Sequence, residues 1–129
     1  MTLPDIHPTQ ECTAPAALLS IARFTFHEGK VDDDKRLSQQ CLEIVRTQDT
    51  GTLQYDVYLN DDETEAMVIE RYEDSDALME HLEHIGEDLM AAIMETGSVH
   101  GEILGEPSGK LRAQMEGSPV RLFTPYRPL

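Results

Sequence analysis

With 129 residues, of which 40% are hydrophobic, the chain has the length and composition of one globular domain. Its 25 acidic and 10 basic residues give a formal net charge of -15, and such a surface repels nucleic acid and anionic membranes, so neither is an expected partner. The sequence also has no apolar run long enough to span a membrane, no signal-peptide pattern at its start, and no metal or redox spacing in Cys12 and Cys41. A cytoplasmic location is the resulting expectation.

The first part of the chain predicts an arm, a strand and a helix. Residues 1–16 contain three prolines and no periodic apolar pattern, which is typical of an extended arm. Residues 17–27 are rich in β-branched and aromatic side chains and end at a turn signal, so they predict strand one. The first helix follows three aspartates and ends at Gly51, and its apolar face is formed by Leu37, Cys41, Ile44 and Val45.

The second part predicts a hairpin, a second helix, a fourth strand and a tail. The alternation over residues 53–59 and the apolar run over residues 64–72 predict strands two and three. Asp74 or Ser75 can cap the second helix, whose apolar face is formed by Leu78, Leu82, Ile85, Leu89, Ala92 and Ile93. Residues 98–104 predict strand four. Residues 107–129, which follow the domain at 17–106, are expected to add an edge strand or to contact a partner subunit.

The order β-α-β-β-α-β predicts the fold class. It is the order of the ferredoxin-like α+β fold, in which right-handed crossovers put both helices on one face of a four-stranded antiparallel sheet. The other face then needs a cover, and a second copy of the chain is the simplest one, so a homodimer is predicted. If the helices cover the Met67 face of strand three, the opposite face points into the pocket between subunits, and it carries Val68, Glu70 and Tyr72.

The third strand and the start of the second helix resemble a known family. The run Met67-Val68-Ile69-Glu70-Arg71-Tyr72, then Glu73-Asp74-Ser75-Asp76-Ala77-Leu78-Met79-Glu80-His81-Leu82, is similar to the signature of the antibiotic biosynthesis monooxygenase (ABM) domain. That signature is an apolar strand, a Glu, a variable residue, an aromatic, an acidic-serine turn, and a helix that opens with Ala-Leu and a His-Leu pair. Tyr55 also lies where such proteins often carry an aromatic.

The resemblance covers about residues 17–106 and implies a dimeric α+β barrel with quinol monooxygenase-like activity. Some members oxidise quinols or polycyclic phenols with dioxygen and no cofactor, and others degrade haem. The aromatic after the Glu is usually Trp in this family, but it is Tyr72 here, and the chain has no Trp. The haem-degrading branch relies on a Trp beside the haem, so this sequence disfavours haem binding or degradation.

Two side chains are the predicted catalytic residues. A carboxylate in an apolar pocket has a raised pKa and can take a proton from a phenol, which is the role predicted for Glu70. The alternative is that Glu70 pairs with an arginine such as Arg23 and braces the sheet. His81 lies at the edge of the apolar stripe, where a neutral imidazole can act as a base or simply bond to water or backbone. His84 is expected to face solvent, and two histidines alone predict no metal site.

The resemblance implies a cofactor-independent monooxygenase acting on a small quinol-like or polyphenolic aromatic. No cofactor is expected, and the sequence has no glycine-rich phosphate loop that would indicate a nucleotide or flavin. The alternative is a non-catalytic module that binds or senses a small molecule on the same dimeric barrel. A buried Glu or His facing a closed cavity would favour the enzyme, and an apolar pocket without converging polar groups would favour the module. The predicted substrate-binding residues are Tyr72, Tyr55, Arg23 and Val68.

Overall fold

A computed structural model of the protein describes residues 17–127, which form five strands and three helices. The α+β class and the βαββαβ order predicted from the sequence are confirmed, and a further helix and strand follow them. The predicted arm at residues 1–16, with Cys12, lies outside the described residues. The elements in chain order are β1 (Leu18–Phe26), α1 (Val31–Gln48), β2 (Thr52–Leu59), β3 (Glu65–Tyr72), α2 (Ser75–Met94), β4 (Gly97–Leu104), α3 (Gly109–Met115) and β5 (Arg121–Phe123).

The strands form one sheet in the order β2-β3-β1-β4-β5. The four strands predicted from the sequence pair antiparallel, and the tail contributes β5, which lies parallel to β4 at the edge. The sheet is therefore mixed and five-stranded rather than purely antiparallel. Its register sets Glu70 of β3 between Ser20 of β1 and Tyr55 of β2, so these three side chains share one face.

The expectation about which face the helices cover is wrong. Val68 and Tyr72 are buried beneath α1 and α2, whereas Met67 on the opposite face is 37% exposed. We call the covered side the helix face; on β3 it carries Ala66, Val68, Glu70 and Tyr72. We call the other side the open face; it carries Leu19, Ile21, Arg23, Tyr58, Met67, Ile69, Arg71 and Glu102.

Helix α2 starts as predicted but is broken in the middle. The Asp74 carboxylate accepts a hydrogen bond from the backbone N–H of Ala77 at 2.8 Å, which makes Asp74 the N-cap. At Gly86 the backbone has φ 78° and ψ 167°, a conformation that a side chain rarely allows, and the helix changes direction there. Because the break interrupts the helical period, the second half turns Met90, Ile93 and Met94 toward the sheet.

The C-terminal segment completes the hydrophobic core. Leu111 of α3 is fully buried in a cluster with Leu18 and Tyr72, and Leu122 of β5 packs against the same cluster. The start of α3 is fixed to α2 by a hydrogen bond of 2.9 Å from the Ser108 backbone N–H to the Ser75 hydroxyl. Residues 109–123 are therefore part of the folded unit. Within residues 17–127, the helices include none with the length and apolar character that a membrane crossing demands.

Replacing Leu111 with alanine is expected to lower the free energy of unfolding by about 2–5 kcal/mol, because it removes a fully buried side chain and leaves a void in the core. Equilibrium unfolding in urea measures this loss. The exposed neighbour Arg112, replaced by alanine, is the matched control and should leave the unfolding midpoint nearly unchanged. Equal midpoints for the two variants would contradict the account of the tail as part of the core.

Candidate active site

A cavity of about 220 Å³ lies between the helix face of the sheet and helices α1 and α2. It is enclosed mainly by aliphatic side chains and methionines, and the tail closes one side through Met115 and Val120. A wider groove of about 590 Å³ between α2 and α3 is open to solvent and carries Glu80, Glu83 and Lys110, so it offers little enclosure to a ligand. Polar side chains that line the enclosed cavity are Ser20, Cys41, Tyr55, Glu70 and His81.

Most of these polar groups lie at one end of the cavity. Strand register places Tyr55, Glu70 and Ser20 side by side, and His81 of α2 lies over this row with its ring centre 5.6 Å from that of Tyr55. Cys41 of α1 reaches the same end. The opposite end, toward β4 and the second half of α2, is formed by Phe24, Met90, Ile93, Met94 and Val99. The cavity thus combines a polar end with an apolar body.

Glu70 is held by a neighbour on its own strand. The Tyr72 hydroxyl donates a short hydrogen bond to the Glu70 carboxylate. Burial raises the pKa of Glu70 above its ordinary value, while this hydrogen bond and the nearby His81 lower it by less. Burial likewise raises the pKa of the Tyr72 hydroxyl, which keeps it a donor. The surroundings of Glu70 therefore shift its equilibrium toward the protonated acid.

A Glu70→Gln variant is expected to be more stable than the native protein above neutral pH. The folded pKa of Glu70 lies above that of the unfolded chain, about 4.3, so native stability falls as the pH rises from there through the folded pKa. Glutamine has no charge to bury, and its carbonyl still accepts from Tyr72. Thermal unfolding at pH 4 and pH 8 checks this: the difference in Tm between the two proteins should grow with pH. A difference that is constant or shrinks would refute the raised pKa.

His81 is bonded to an acid that the sequence analysis missed. His81 Nδ1 lies 2.7 Å from Asp49 Oδ2, and the His84 Nδ1 lies 2.7 Å from Asp49 Oδ1. The side chains of His81 and Asp49 are 5% and 1% exposed, and that of His84 is 24% exposed. His84 is therefore not simply turned to solvent, as expected, but shares Asp49 with His81. The Thr52 hydroxyl also donates a hydrogen bond to Asp49 Oδ2, at 2.8 Å.

The charge state of Asp49 fixes the direction of these hydrogen bonds. Burial alone would raise the pKa of Asp49, but the hydrogen bonds from His84, His81 and Thr52 outweigh it and lower the pKa below its usual value. An ionised carboxylate is only an acceptor, so both histidines must donate from Nδ1. The same bond to Asp49 raises the pKa of His84. For His81, Nε2 is left as the nitrogen that can accept a proton from a group in the cavity.

Tyr55 and Cys41 complete the polar end of the cavity. Burial raises the pKa of the Tyr55 hydroxyl. Burial also raises the pKa of the Cys41 thiol to about 11, so it stays protonated and is no nucleophile at neutral pH. Cys41 is buried on the apolar side of α1, where the helical spacing predicted it. Both residues serve here as neutral hydrogen-bonding groups.

Ligand atoms of Asp49, Glu80 and His84 lie close enough together to share a cation. In the structure these atoms are bonded elsewhere: Asp49 and His84 to each other, and Glu80 to the backbone N–H and hydroxyl of Thr50 at 3.0 Å. Hydrogen bonding alone therefore accounts for the cluster.

The structure brings together four of the six side chains that the sequence singled out as site residues, namely Glu70, His81, Tyr55 and Val68. Tyr72 is completely buried and supports Glu70 instead of reaching the cavity, so the contact with substrate predicted for it is not available in this conformation. Arg23 lies on the open face, 3.6 Å from Glu102, and therefore neither lines the cavity nor pairs with Glu70. Roles for all six in binding or catalysis stay predictions.

Residues 17–95, which carry β1 to α2 and hence both sides of the cavity, match the family model of the antibiotic biosynthesis monooxygenases. The chain belongs to the antibiotic biosynthesis monooxygenase (ABM) family. The resemblance seen in strand three and the start of the second helix is thereby confirmed. The match ends before β4, so β4 and the segment that follows it lie outside the matched residues. No curated protein is significantly similar to the chain in sequence.

Solved structures share the fold of this ABM protein at low sequence identity. MupZ from Pseudomonas fluorescens has a TM-score of 0.74 at 20% identity, covering 88% of each chain. Rv0793 from Mycobacterium tuberculosis has a TM-score of 0.59 at 24% identity, covering 71% of this chain and 96% of its own. A variant of SnoaB, a cofactor-independent oxygenase from Streptomyces nogalater, has a TM-score of 0.57 at 13% identity, covering 67% and 89%. At these identities the likeness shows a common fold.

Proposed function

We propose that the protein is a cofactor-independent monooxygenase that uses dioxygen to oxidise a quinol-like phenol. The observation that carries the proposal is the meeting of two proton-exchanging groups, Glu70 and His81, at the polar end of an otherwise apolar cavity. Membership of a family named for monooxygenases supports the reaction class. The SnoaB fold likeness adds an example of an oxygenase described as cofactor-independent on the same architecture.

The reaction begins with removal of a proton from the substrate hydroxyl. The resulting phenolate gives one electron to dioxygen, which forms superoxide and a phenoxyl radical, and the two combine at a ring carbon to give a peroxide. Loss of water from the peroxide leaves a new carbonyl on the ring. One oxygen atom thus enters the product and the other leaves as water, so a hydroquinone and dioxygen give a hydroxyquinone and water, with no external reductant.

Different residues of the cavity are assigned to the proton transfers and to substrate binding. His81 is the base, because Asp49 leaves its Nε2 as the proton acceptor at the cavity. Glu70 is favoured as the protonated acid and is suited to supply a proton to the oxygen that leaves as water. Tyr55 and Val68 contact the substrate ring, and Tyr72 holds Glu70. The apolar body of the cavity excludes water from the radical pair.

The size of the cavity limits the substrate. Its volume of about 220 Å³ is below the range of about 300–1,000 Å³ of pockets for drug-sized ligands. Methionines at the apolar end can adapt to the shape of a ligand. A substrate of one or two rings, with a hydroxyl directed at Glu70 and His81, fits this enclosure better than a larger polycyclic phenol.

Oxygen consumption tests the proposal. The purified full-length protein is mixed under air with a panel of one-ring and two-ring quinols, and the rate is compared with that of buffer alone and of the His81→Gln variant. The proposal expects uptake above the buffer blank, and incorporation of one labelled atom per product from ¹⁸O₂. Uptake equal to the blank for the whole panel would overturn it. Saturable binding without uptake would favour the non-catalytic binding module, for which the apolar lining is equally suited.

We also propose that two copies form a homodimer through the open face. Apolar side chains there remain accessible: Tyr58 is 56% exposed and Met67 is 37% exposed. Ile69 lies on the same face, next to β2 on one side and β1 on the other, and the ion pair Arg23–Glu102 lies beyond it. Exposed apolar patches of this kind mark interaction surfaces, and a two-fold axis lets one surface cover itself. As in the sequence analysis, the dimer is proposed because one face of the sheet lacks a cover. The uncovered face is the one that carries Met67, not the one that carries Val68 and Tyr72.

Light scattering is expected to give twice the 14.5 kDa mass of one chain. An Ile69→Lys variant should shift this mass toward the monomer, because a charge at the centre of a two-fold interface meets its own copy and loses its hydration. Leu53→Lys, on an exposed side chain outside the open face, is the control and should stay dimeric. A native protein of monomer mass at micromolar concentration would refute the dimer.

A further inference from the structure

We propose that Asp49 is the positioning residue of the cavity: its buried carboxylate fixes the His81 ring as the Nδ1–H tautomer and leaves Nε2 to face the ligand. The inference rests on the proposed function only for its kinetic readout. Asp49 itself does not line the cavity, whereas His81 does. Asp49 follows α1 directly, and its Oδ2 lies 2.7 Å from His81 Nδ1 across 32 positions of the sequence.

The position of Asp49 is costly for stability, which argues for a purpose. It is the C-cap of α1, and the helix dipole disfavours a negative charge at a helix C-terminus. Its side chain is 1% exposed, so the charge has also lost nearly all its water. A neutral polar residue could connect the α1–β2 turn to α2 without either cost. An ionised acceptor, however, is what compels a histidine to donate from Nδ1.

The second carboxylate oxygen is used to keep the first in place. Asp49 Oδ1 accepts from His84 Nδ1 at 2.7 Å, and the Thr52 hydroxyl donates to Oδ2 at 2.8 Å. Rotation of the carboxylate would break at least one of these bonds. His81 is confined further by two aromatic neighbours, since the ring centres of Tyr55 and Tyr72 each lie 5.6 Å from its own. The imidazole is therefore held in both tautomer and direction before any ligand arrives.

Asp49 thus acts through His81 and needs no proton of its own. When His81 takes a proton at Nε2, the imidazolium that forms keeps its Nδ1–H bond to the carboxylate, and the opposite charges stabilise each other. The lowered pKa of Asp49 is consistent with an anion that stays ionised throughout. His84, which lies on the outer side of Asp49 and is 24% exposed, supports the carboxylate without touching the cavity.

The test compares Asp49→Asn with Thr52→Val in the full-length protein. Nitrogen-detected NMR of the imidazoles at pH 8 reports the tautomer of His81, and oxygen uptake with a quinol reports kcat and KM. We expect Nδ1–H in the native protein and in Thr52→Val. In Asp49→Asn the amide can donate to Nδ1, so the Nε2–H tautomer should appear, and kcat should fall by about 10²–10⁴-fold with KM little changed. Unchanged thermal unfolding of each variant separates this effect from a loss of folding.

Each result decides between positioning and a merely structural role. An Nε2–H tautomer in the native protein would overturn the inference, and so would an Asp49→Asn variant that keeps the native tautomer. A switched tautomer with native kcat would also overturn it. If Asp49→Asn fails to fold, the native tautomer alone decides. If no quinol is oxidised, the tautomer measurements still stand, so failure of the proposed function and failure of the inference are distinguishable.

Discussion

Replacing His81 with glutamine is expected to lower kcat/KM for quinol oxidation by about 10²–10⁴-fold, the usual contribution of a general base. Glutamine keeps a polar side chain of comparable reach at the cavity, but it takes up no proton near neutral pH. The buried imidazole, held by Asp49 and flanked by two tyrosine rings, is the group best placed to take the substrate proton. Oxygen uptake under initial-rate conditions measures the loss.

The matched control is the histidine one turn further along α2. His84 shares Asp49 with His81 but lies on its outer side, so His84→Gln should keep most of the activity. Both variants replace one histidine with glutamine, but only His81→Gln changes a side chain that lines the cavity. Similar losses in both, or a native rate in His81→Gln, would show that another group takes the proton.

Replacing Gly97 with alanine is expected to cost on the order of 4 kcal/mol or more of the free energy of unfolding, among the largest effects of a single methyl group. A Cβ atom there would lie 2.1 Å from the backbone oxygen of Thr25 and 2.8 Å from the Cα of Phe26. Both contacts are main chain of β1, which cannot rotate away as a side chain would. The β1–β4 pairing would have to open at this end, where His27 N–H also bonds to the Thr96 carbonyl at 2.8 Å.

Gly101 provides the comparison on the same strand. An added Cβ at Gly101 would meet Val120 Cγ2 at 3.6 Å and the Ile21 backbone oxygen at 4.0 Å, both ordinary contacts, so Gly101→Ala should change stability by no more than about 1 kcal/mol. Guanidinium unfolding of both variants measures the difference, and circular dichroism shows whether Gly97→Ala folds at all. A stable Gly97→Ala variant with the native unfolding midpoint would show that β1 and β4 lie further apart than described.

Periodicity was sufficient to predict the first six elements and their order, but neither the short helix α3 of the tail nor the side of the sheet on which the helices lie. Both faces of β3 carry large apolar side chains, so hydrophobicity alone does not distinguish Met67 and Ile69 from Val68 and Tyr72. What decides is the crossover path of α1 and α2, which depends on the whole fold. The same long-range geometry pairs Arg23 with Glu102 of β4 instead of Glu70.

Asp49 could not be found by a repeating pattern, because it stands between a helix and a strand and its partners His81 and His84 are far along the chain. One local signal was present: an acidic residue at a helix C-terminus is electrostatically unfavourable and therefore calls for another partner. Gly86 gave a second signal that periodicity masked, since apolar residues continue at helical spacing on both sides of the break. Glu70 and His81, by contrast, were found through the family signature around them.

The packing of Leu18 and Leu111 in one cluster has a consequence for co-translational folding. β1 is made first, yet its two neighbours in the sheet, β3 and β4, come later, and Leu111 later still. Such a topology gives few stable intermediates during synthesis, because the contacts that bury β1 are distant in sequence. The core around Leu18 is therefore complete only once α3 has left the exit tunnel, and until then part of the apolar surface of β1 lacks its final cover.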